Sequence, residues 1–144
     1  MNEDIQTFLS NSNYVLYGVS SDSKKFGNYI YKELTQRKFS LSAIYKKNLD
    51  GINCFRSISE IPTKPNAAII CTKPVSTLLI LDELYNNRIL NIWLQQGSES
   101  PEVIAKAKEY NLNIISNKCI LMYAEPVKSI HKFHRTINKI LGKY

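Results

Sequence analysis

The strongest constraint on the fold of this 144-residue chain is a regular alternation between two kinds of apolar pattern. Short, nearly continuous apolar runs, such as residues 14–19 and 67–72, are typical of strands buried on both faces. Between them lie segments whose apolar side chains recur at helical spacing, such as Phe26, Ile30 and Leu34. Strand and helix signals that alternate in this way predict a parallel sheet with helices on both faces.

The element boundaries follow from the same patterns. Strand patterns cover residues 14–19, 39–45, 67–72, 90–94 and 112–116, and residues 53–55 are a further short candidate. Helix patterns cover residues 24–37, 74–86 and 101–110, followed by a final helix that Pro126 opens. We therefore predict a single Rossmann-like α/β domain with three layers and a mostly parallel sheet of about five strands. It spans residues 1–144, with residues 1–12 as a lead-in.

Two helix starts are explicit in the sequence. Ser100 is a good N-cap, and the proline and acid that follow it suit the first turn of a helix. Pro74 opens another helix, for which the pattern predicts four inward-facing side chains. They are Val75, Leu78, Leu79 and Tyr85.

Composition excludes several classes of protein. Hydrophobic residues make up 44% of the chain and charged residues 22%, which is typical of a globular domain. No apolar run reaches the length of a membrane span, and the acidic N-terminus is unlike a signal peptide. The cysteines, Cys54, Cys71 and Cys119, are far apart and form no CxxC motif, so we expect neither a disulfide framework nor a zinc ribbon. These features predict a cytoplasmic protein with no membrane partner.

The formal net charge of +7 favours an anionic partner. Nucleotides, nucleic acid and acidic lipids all satisfy that condition. The lysines are dispersed, and few aromatic side chains are interleaved with them, so nucleic acid ranks last. The sequence leaves open whether the chain forms a homo-oligomer.

Ligands of doubly wound sheets bind beyond the carboxyl ends of the strands, so the residues after each strand are the candidates. After the first strand come Gly18, Val19, Ser20 and Ser21, and then Lys24 and Lys25. A glycine, two hydroxyls, helix amides and lysines suit a phosphate group, although a simple serine-capped turn would have the same sequence. Neither the dinucleotide fingerprint G-x-G-x-x-G nor the P-loop pattern is present.

The loop after the second strand is more informative. NAD-binding sheets place an acid here for the ribose hydroxyls, whereas this chain has Tyr45, Lys46 and Lys47. A lysine suits a phosphorylated ribose and indicates coenzyme A or NADP, although a solvated charge pair is the simpler interpretation.

The remaining candidates at the same edge of the sheet follow the later strands. They are Thr72, Lys73, Pro74, Gln95, Gln96, Gly97 and Cys119.

Four strings together resemble the CoA-binding-domain proteins, which are small, stand-alone bacterial and archaeal Rossmann-like proteins. The strings are GVSSDSKKFGNYIYKEL (18–34), IWLQQGSES (92–100), CILMYAEPV (119–127) and HKFHR (131–135). The family shares its domain with the CoA-binding part of succinyl-CoA synthetase and of acyl-CoA synthetases. The resemblance extends from about Tyr14 to Tyr144.

The resemblance implies that coenzyme A or acyl-CoA lies across the carboxyl ends of the strands. Its diphosphate would lie near Gly18, Ser20 and Ser21 with help from Lys24 or Lys25. By the same resemblance, Lys46 would contact a phosphate, and the loop of Lys73 and Pro74 would border the adenosine half. The chain departs from the family in two places. The family's asparagine-proline after the second strand is missing, and Lys38 stands where the family has a glycine.

The sequence predicts neither a catalytic residue nor a metal site. His131 and His134 share a helix face and could join Cys119 in a metal site or a thiol–imidazole pair, with Glu125 as a further candidate. Both histidines border an apolar stripe, and a third spaced ligand is missing. Cys119 could form a mixed disulfide with coenzyme A or be a small buried side chain. We expect a non-catalytic, regulatory CoA binder, with an NADP-linked oxidoreductase or nucleotide sensor as the alternative.

Overall fold

The computed structural model describes residues 3–124. The helices are α1 (Glu3–Leu9), α2 (Phe26–Gln36), α3 (Pro74–Asn86) and α4 (Pro101–Glu109). The strands are β1 (Tyr14–Tyr17), β2 (Leu41–Ile44), β3 (Cys54–Phe55), β4 (Ala67–Ile70), β5 (Asn91–Leu94) and β6 (Asn113–Ile115). Two short 3-10 turns cover Ile58–Glu60 and Ile120–Met122. The predicted helix that Pro126 opens, with its two histidines, lies outside the described residues.

All six strands are parallel and lie in the order β3-β2-β1-β4-β5-β6. The predicted parallel sheet is therefore confirmed, and the short candidate at residues 53–55 is its edge strand β3. The chain enters the sheet at its centre with β1, builds outward through β2 and β3, and returns to β1's other side with β4. Strand order thus reverses between β1 and β4, where ligands of such sheets bind.

Each face of the sheet has its own core, because neighbouring side chains of a strand point to opposite faces. Leu16 of β1 packs with α1, α2 and the 3-10 turn at Ile120–Met122. Val15 and Tyr17 pack on the other face with α3 and α4. The prediction of helices on both faces is confirmed, and α1 within the predicted lead-in contributes Ile5 and Phe8 to the first core.

The predicted orientation of α3 is wrong at three of its four positions. Val75, Leu79 and Tyr85 are 73%, 72% and 45% exposed, and Leu78 is partly buried. The side chains of α3 that are fully buried against the sheet are Thr77, Leu81 and Leu84.

The cause of this error lies in the sequence of α3, PVSTLLILDELYN, which has apolar residues on several sides. Such a helix has no single apolar stripe, so periodicity does not determine which side faces the sheet. A threonine at the centre of the buried face is acceptable because the Thr77 hydroxyl is hydrogen-bonded. It donates to the Lys73 carbonyl at 3.1 Å and pairs with the Thr72 hydroxyl at 2.9 Å.

The turn after α2 contains a backbone conformation that favours glycine. Lys38 has φ 71°, in the left-handed region, at the position where the resemblance led us to expect a glycine. Left-handed geometry costs a non-glycine residue about 1–2 kcal/mol.

Among residues 3–124, no helix is both long enough and apolar enough to cross a membrane.

Candidate functional site

A cavity of about 560 Å³ lies at the carboxyl ends of β1, β4 and β5, next to the point where strand order reverses. Nine of the residues predicted from the sequence line it. They are Gly18, Val19, Ser20, Lys25, Thr72, Lys73, Gln95, Gln96 and Gly97. The loops after these three strands meet here because the strand ends are level, with Tyr17 opposite Ile70 and Ile70 opposite Leu94.

The other six predicted residues do not line this cavity. They are Ser21, Lys24, Tyr45, Lys46, Pro74 and Cys119. Conversely, Phe26, Cys71 and Ser76 line it and were not predicted as site residues. Cys71 directly follows β4 and could have been found by starting the loop one residue earlier. Phe26 was assigned only to the apolar stripe of α2, and Ser76 lies inside α3.

Close backbone packing shapes the floor of the cavity. Gly18 has φ 120°, and a Cβ atom there would lie 2.6 Å from the Cys71 carbonyl oxygen. A Cβ atom at Gly27 would lie 2.2 Å from the Gly18 carbonyl oxygen. Both positions therefore require glycine, because the first turn of α2 lies directly against the loop that leaves β1. The sequence contained this signal as a second glycine, although the site prediction did not include it.

The loop between β1 and α2 is held by its own side chains. Asn28 clamps the Ser20 backbone: its Oδ1 accepts from the Ser20 amide and its Nδ2 donates to the Ser20 carbonyl, each at 2.8 Å. The Ser20 hydroxyl oxygen accepts from the Asp22 amide at 3.1 Å, which leaves the hydroxyl proton available to a ligand. The Asp22 carboxylate accepts from the Lys24 amide at 3.0 Å. The loop is thus pre-formed, and Asn28 is a supporting residue that the sequence analysis missed.

Two helices begin at the cavity without a side-chain cap. The N-cap of α2 is Lys25 and that of α3 is Lys73, and neither makes a capping hydrogen bond through its side chain. Both residues line the cavity. Since helix N-termini carry unsatisfied amides and partial positive charge, this arrangement favours an anion between them.

The charges of two lysines add to the partial positive charge of the helix N-termini. Within residues 3–124, neither Lys25 nor Lys73 forms an ion pair. By contrast, Lys106 on α4 is paired with Asp82 of α3 at 2.9 Å. The cavity therefore has two free cationic side chains, and the described residues that line it include no acid.

Gln95, which lines the cavity, contacts the buried Cys119, which does not. Gln95 is buried, with its Oε1 accepting from the Ile120 amide at 2.7 Å and its Nε2 donating to Cys119 Sγ at 3.4 Å. The carboxamide of Gln95 is thus used inside the protein, and it ties the end of β5 to the segment after β6. Burial raises the pKa of the Cys119 thiol, against a smaller lowering by the Gln95 hydrogen bond.

Cys71 is the thiol that lines the cavity. Burial raises the pKa of this thiol, and the neighbouring Cys119 raises it further. The thiolate is the nucleophilic form of cysteine, so Cys71 is held in its unreactive state at neutral pH. Its chemical contribution here is that of a small apolar surface.

Tyr45 lies beside a second, smaller cavity of about 260 Å³ at the ends of β2 and β3. Hydrogen bonds from the side chain and backbone of Ser21 lower the pKa of the Tyr45 phenol. Ser21 therefore connects the loop of the main cavity with this second one. Lys47 lines the second cavity, whereas Lys46 lines neither cavity.

The strand order, the cavity at the point of reversal and the glycine-containing loop are those of a Rossmann-like α/β domain. The CoA binding domain family matches residues 12–125 of the sequence. The chain belongs to this family, as its sequence motifs indicated. No curated protein matches the sequence.

Solved structures share the fold. A conserved hypothetical protein from Pyrococcus furiosus is 24% identical with a TM-score of 0.69, over 75% of this chain and 95% of that one. A hypothetical protein from Pyrococcus horikoshii OT3 is 21% identical with a TM-score of 0.73, over 95% of this chain and 92% of that one. The apo dinucleotide-forming acetyl-coenzyme A synthetase 1 of Ca. Korarchaeum cryptofilum is 19% identical with a TM-score of 0.61. The match covers 76% of this chain and 26% of the synthetase chain. The chain thus corresponds to about a quarter of that synthetase.

Proposed function

We propose that this protein binds coenzyme A or an acyl-CoA in the main cavity. The observation that carries the proposal is the meeting of two helix N-termini without side-chain caps, those of α2 and α3, in one cavity with two unpaired lysines. Membership of the CoA binding domain family identifies the kind of anion. The diphosphate of coenzyme A supplies the negative charge that such a cavity stabilises.

The diphosphate is best placed between the β1–α2 loop and the start of α3. There the Ser20 hydroxyl can donate to a phosphate oxygen, and Lys25 and Lys73, which line the same cavity, can approach it. The pantetheine arm would then pass Thr72 and Gln96 toward β5. The adenosine half would extend the other way, toward Tyr45. Of the predicted residues outside the cavity, Ser21 and Lys24 stay assigned to the diphosphate, Lys46 to a phosphate and Pro74 to the loop that borders the adenosine half.

We further propose that the site binds its ligand without transforming it. The described side chains of the cavity are hydroxyls, amides, lysines and one thiol with a raised pKa. This set holds an anion and an amide-rich arm well. It offers no pairing of a nucleophile with a general base, which covalent catalysis requires.

Calorimetric titration with coenzyme A, acetyl-CoA, NADP, NAD and ATP tests the proposal. We expect saturable binding of coenzyme A with one site per chain, and weak or no binding of NAD. Binding of NADP alone would replace the proposal by an NADP-linked function. If oligonucleotides bind instead, with an affinity that falls steeply with salt, the protein would be a nucleic-acid binder.

A further inference from the structure

Two large apolar side chains of α3 are left exposed beside the main cavity. Val75 and Leu79 are 73% and 72% exposed, and neither packs into the core on either face of the sheet. They lie four residues apart, so they are neighbours on the helix surface. Ser76, which follows Val75 and is three residues before Leu79, lines the cavity. The pair of Val75 and Leu79, the α3 strip, therefore begins at the edge of the cavity.

The α3 strip is confined to the end of the helix that begins at the cavity. Further along the same side of α3 come Asp82 and Asn86, which are polar. The other large apolar side chains that are exposed in the described residues lie elsewhere. Tyr85 stacks on the Tyr110 ring with 4.1 Å between ring centroids, and Leu90 precedes β5 at the opposite end of the sheet. Its place at the cavity thus distinguishes the strip from scattered surface side chains.

The size of the α3 strip favours a small apolar ligand over a protein partner. A stable interface between two protein chains buries about 800 Å² on each partner, from about 20 residues or more. The strip has two apolar side chains, with polar Asp82 and Asn86 beyond them. Val75 and Leu79 lie about 6 Å apart along the helix axis, at about 1.5 Å per residue. That length suits a few CH₂ groups of one hydrocarbon chain.

The proposed path of the ligand leads toward this strip. The pantetheine arm would pass Thr72 and Gln96, and Ser76 lines the same cavity. The loop after Gln96 leaves open space, because a Cβ atom at Gly97 would meet no atom within 4 Å. A chain attached to the end of the arm can therefore leave the cavity past Ser76 and reach Leu79. Contact with the strip would remove apolar surface of the chain and of the helix from water.

From this geometry we propose that the protein binds acyl-CoA in preference to free coenzyme A, and that the α3 strip holds the hydrocarbon chain of a medium-length acyl group. The proposal rests on the proposed function. Each CH₂ group that the strip covers adds to affinity, in proportion to the apolar area buried. A longer chain would extend past Leu79 to Asp82 and Asn86 and gain no further apolar contact.

Calorimetry with free coenzyme A, acetyl-CoA, octanoyl-CoA and dodecanoyl-CoA tests the proposal. We expect octanoyl-CoA to bind at least about 10-fold more tightly than acetyl-CoA, which corresponds to burial of about two of the added CH₂ groups. Dodecanoyl-CoA, kept below its micelle concentration, should bind within about twofold of octanoyl-CoA, because its end extends beyond the strip. Free coenzyme A should bind no more tightly than acetyl-CoA.

The variants Leu79→Gln and Val75→Gln remove the strip one side chain at a time. Each places a good helix former at an exposed position, so the fold should be kept, which thermal unfolding checks. Leu79→Gln should reduce the advantage of octanoyl-CoA over acetyl-CoA to within about threefold, and Val75→Gln should reduce it as well. Affinity for free coenzyme A should stay within about twofold of the wild type in both.

Leu90→Gln is the matched control, since it makes the same change at an exposed leucine at the other end of the sheet. It should leave the advantage of octanoyl-CoA unchanged. If the wild type shows no such advantage, or both strip variants keep it in full, the proposal is overturned and the proposed function stands. No binding of any of the CoA compounds would overturn both.

Sedimentation velocity tests the other occupant of the strip, a second copy of the chain. A wild-type protein that stays monomeric with and without octanoyl-CoA supports the proposal. A wild-type dimer that Leu79→Gln dissociates would mean that the strip is an interface between two copies, and the proposal would be wrong.

Discussion

Three helices of this protein follow a parallel strand in the same way, yet their N-termini differ. Ser100 caps α4, and its hydroxyl oxygen accepts from the Val103 amide at 3.1 Å. The helices α2 and α3 begin at Lys25 and Lys73 and have no such cap. At the capped terminus a side chain of the protein satisfies a helix amide, whereas the residues at the two uncapped termini line the main cavity. Where the protein leaves helix amides without a side-chain partner, a ligand can take the place of the cap.

The lysines follow the same division. On α4, Lys106 is paired with Asp82 and donates to the Leu78 carbonyl at 3.2 Å. At the main cavity, Lys25 and Lys73 have no ion-pair partner within residues 3–124. Basic charge is thus neutralised where it stabilises the fold and left free where an anion is expected. Four predictions test this difference between the two regions.

The largest expected effect comes from the contact that holds the N-terminus of α2 at the cavity. Gly27→Ala would place a Cβ atom 2.2 Å from the Gly18 carbonyl oxygen, so the helix or the loop must move. Overpacking of this kind costs about 1–3 kcal/mol and sometimes more, and it should lower the free energy of unfolding measured with urea. CoA binding should weaken as well.

Gly51→Ala is the control for Gly27→Ala. It also replaces a glycine, but no atom lies within 4 Å of the added Cβ, and φ there is 74°. Its cost should be limited to the backbone strain of about 1–2 kcal/mol, with no effect on binding. If the two variants lose equal stability and both bind normally, close packing of α2 against the β1 loop is not what forms the cavity.

The second prediction converts an uncapped helix into a capped one. Lys73→Ser should give α3 the kind of cap that Ser100 gives α4, and so raise the free energy of unfolding by about 0.5–1 kcal/mol. It also removes one cation from the cavity, so we expect CoA affinity to fall about 10-fold. Urea unfolding and calorimetry would show stability and affinity changing in opposite directions.

Lys64→Ser is the charge-matched control for Lys73→Ser, since it changes an exposed loop residue on the opposite end of the sheet. Neither its stability nor its affinity should change appreciably. A Lys73→Ser variant that gains stability and keeps full CoA affinity would show that α3 does not contribute to the site.

The third prediction removes the existing cap. Ser100→Ala should lower the free energy of unfolding by about 1 kcal/mol, because the Val103 amide loses its partner. CoA affinity should remain within about twofold of the wild type, since Ser100 does not line the cavity. Ser100→Asp should restore stability. A large loss of affinity in Ser100→Ala would mean that α4 also positions the ligand.

Much of this architecture was predictable, and the reason is physical. The alternation of buried-strand runs with helical spacing leaves few folds open, and parallel strands bring the loops after them to one edge. That argument alone identified nine residues of the main cavity, including Ser20, Lys25 and Lys73. The predicted cap at Ser100 was also confirmed.

The errors concern side-chain direction, which spacing along the chain does not determine. The sequence of α3 is apolar on several sides, so the outward positions of Val75 and Leu79 could not be recognised. Cys119 was named as a binding residue, with a small buried side chain as the alternative, and its role in binding stays a prediction. It is buried behind the cavity, because the Gln95 carboxamide joins the two segments. That contact links residues 24 positions apart and has no local signature.

The smallest expected effect tests the paired lysine of α4. Hydrogen bonds from Tyr110 and then Lys106 lower the pKa of Asp82. A carboxylate with a lowered pKa stabilises the fold above its unfolded pKa of about 3.9, and this stabilisation is lost as pH falls through the folded value. The Asp82 side chain is 38% exposed, so solvent screening limits the contribution at pH 7 to about 0.5 kcal/mol or less.

Asp82→Asn should therefore lose a little stability at neutral pH, and its unfolding curve should approach that of the wild type as the pH falls below about 4. CoA affinity should not change, because Asp82 and Lys106 lie outside the main cavity. Added salt should narrow the stability difference and at the same time weaken CoA binding in both proteins, since the free lysines act on the ligand. If added salt narrows the stability difference but leaves CoA affinity unchanged, Lys25 and Lys73 do not bind the ligand through their charge. The difference between these unpaired lysines and the paired Lys106 would then have no bearing on ligand binding.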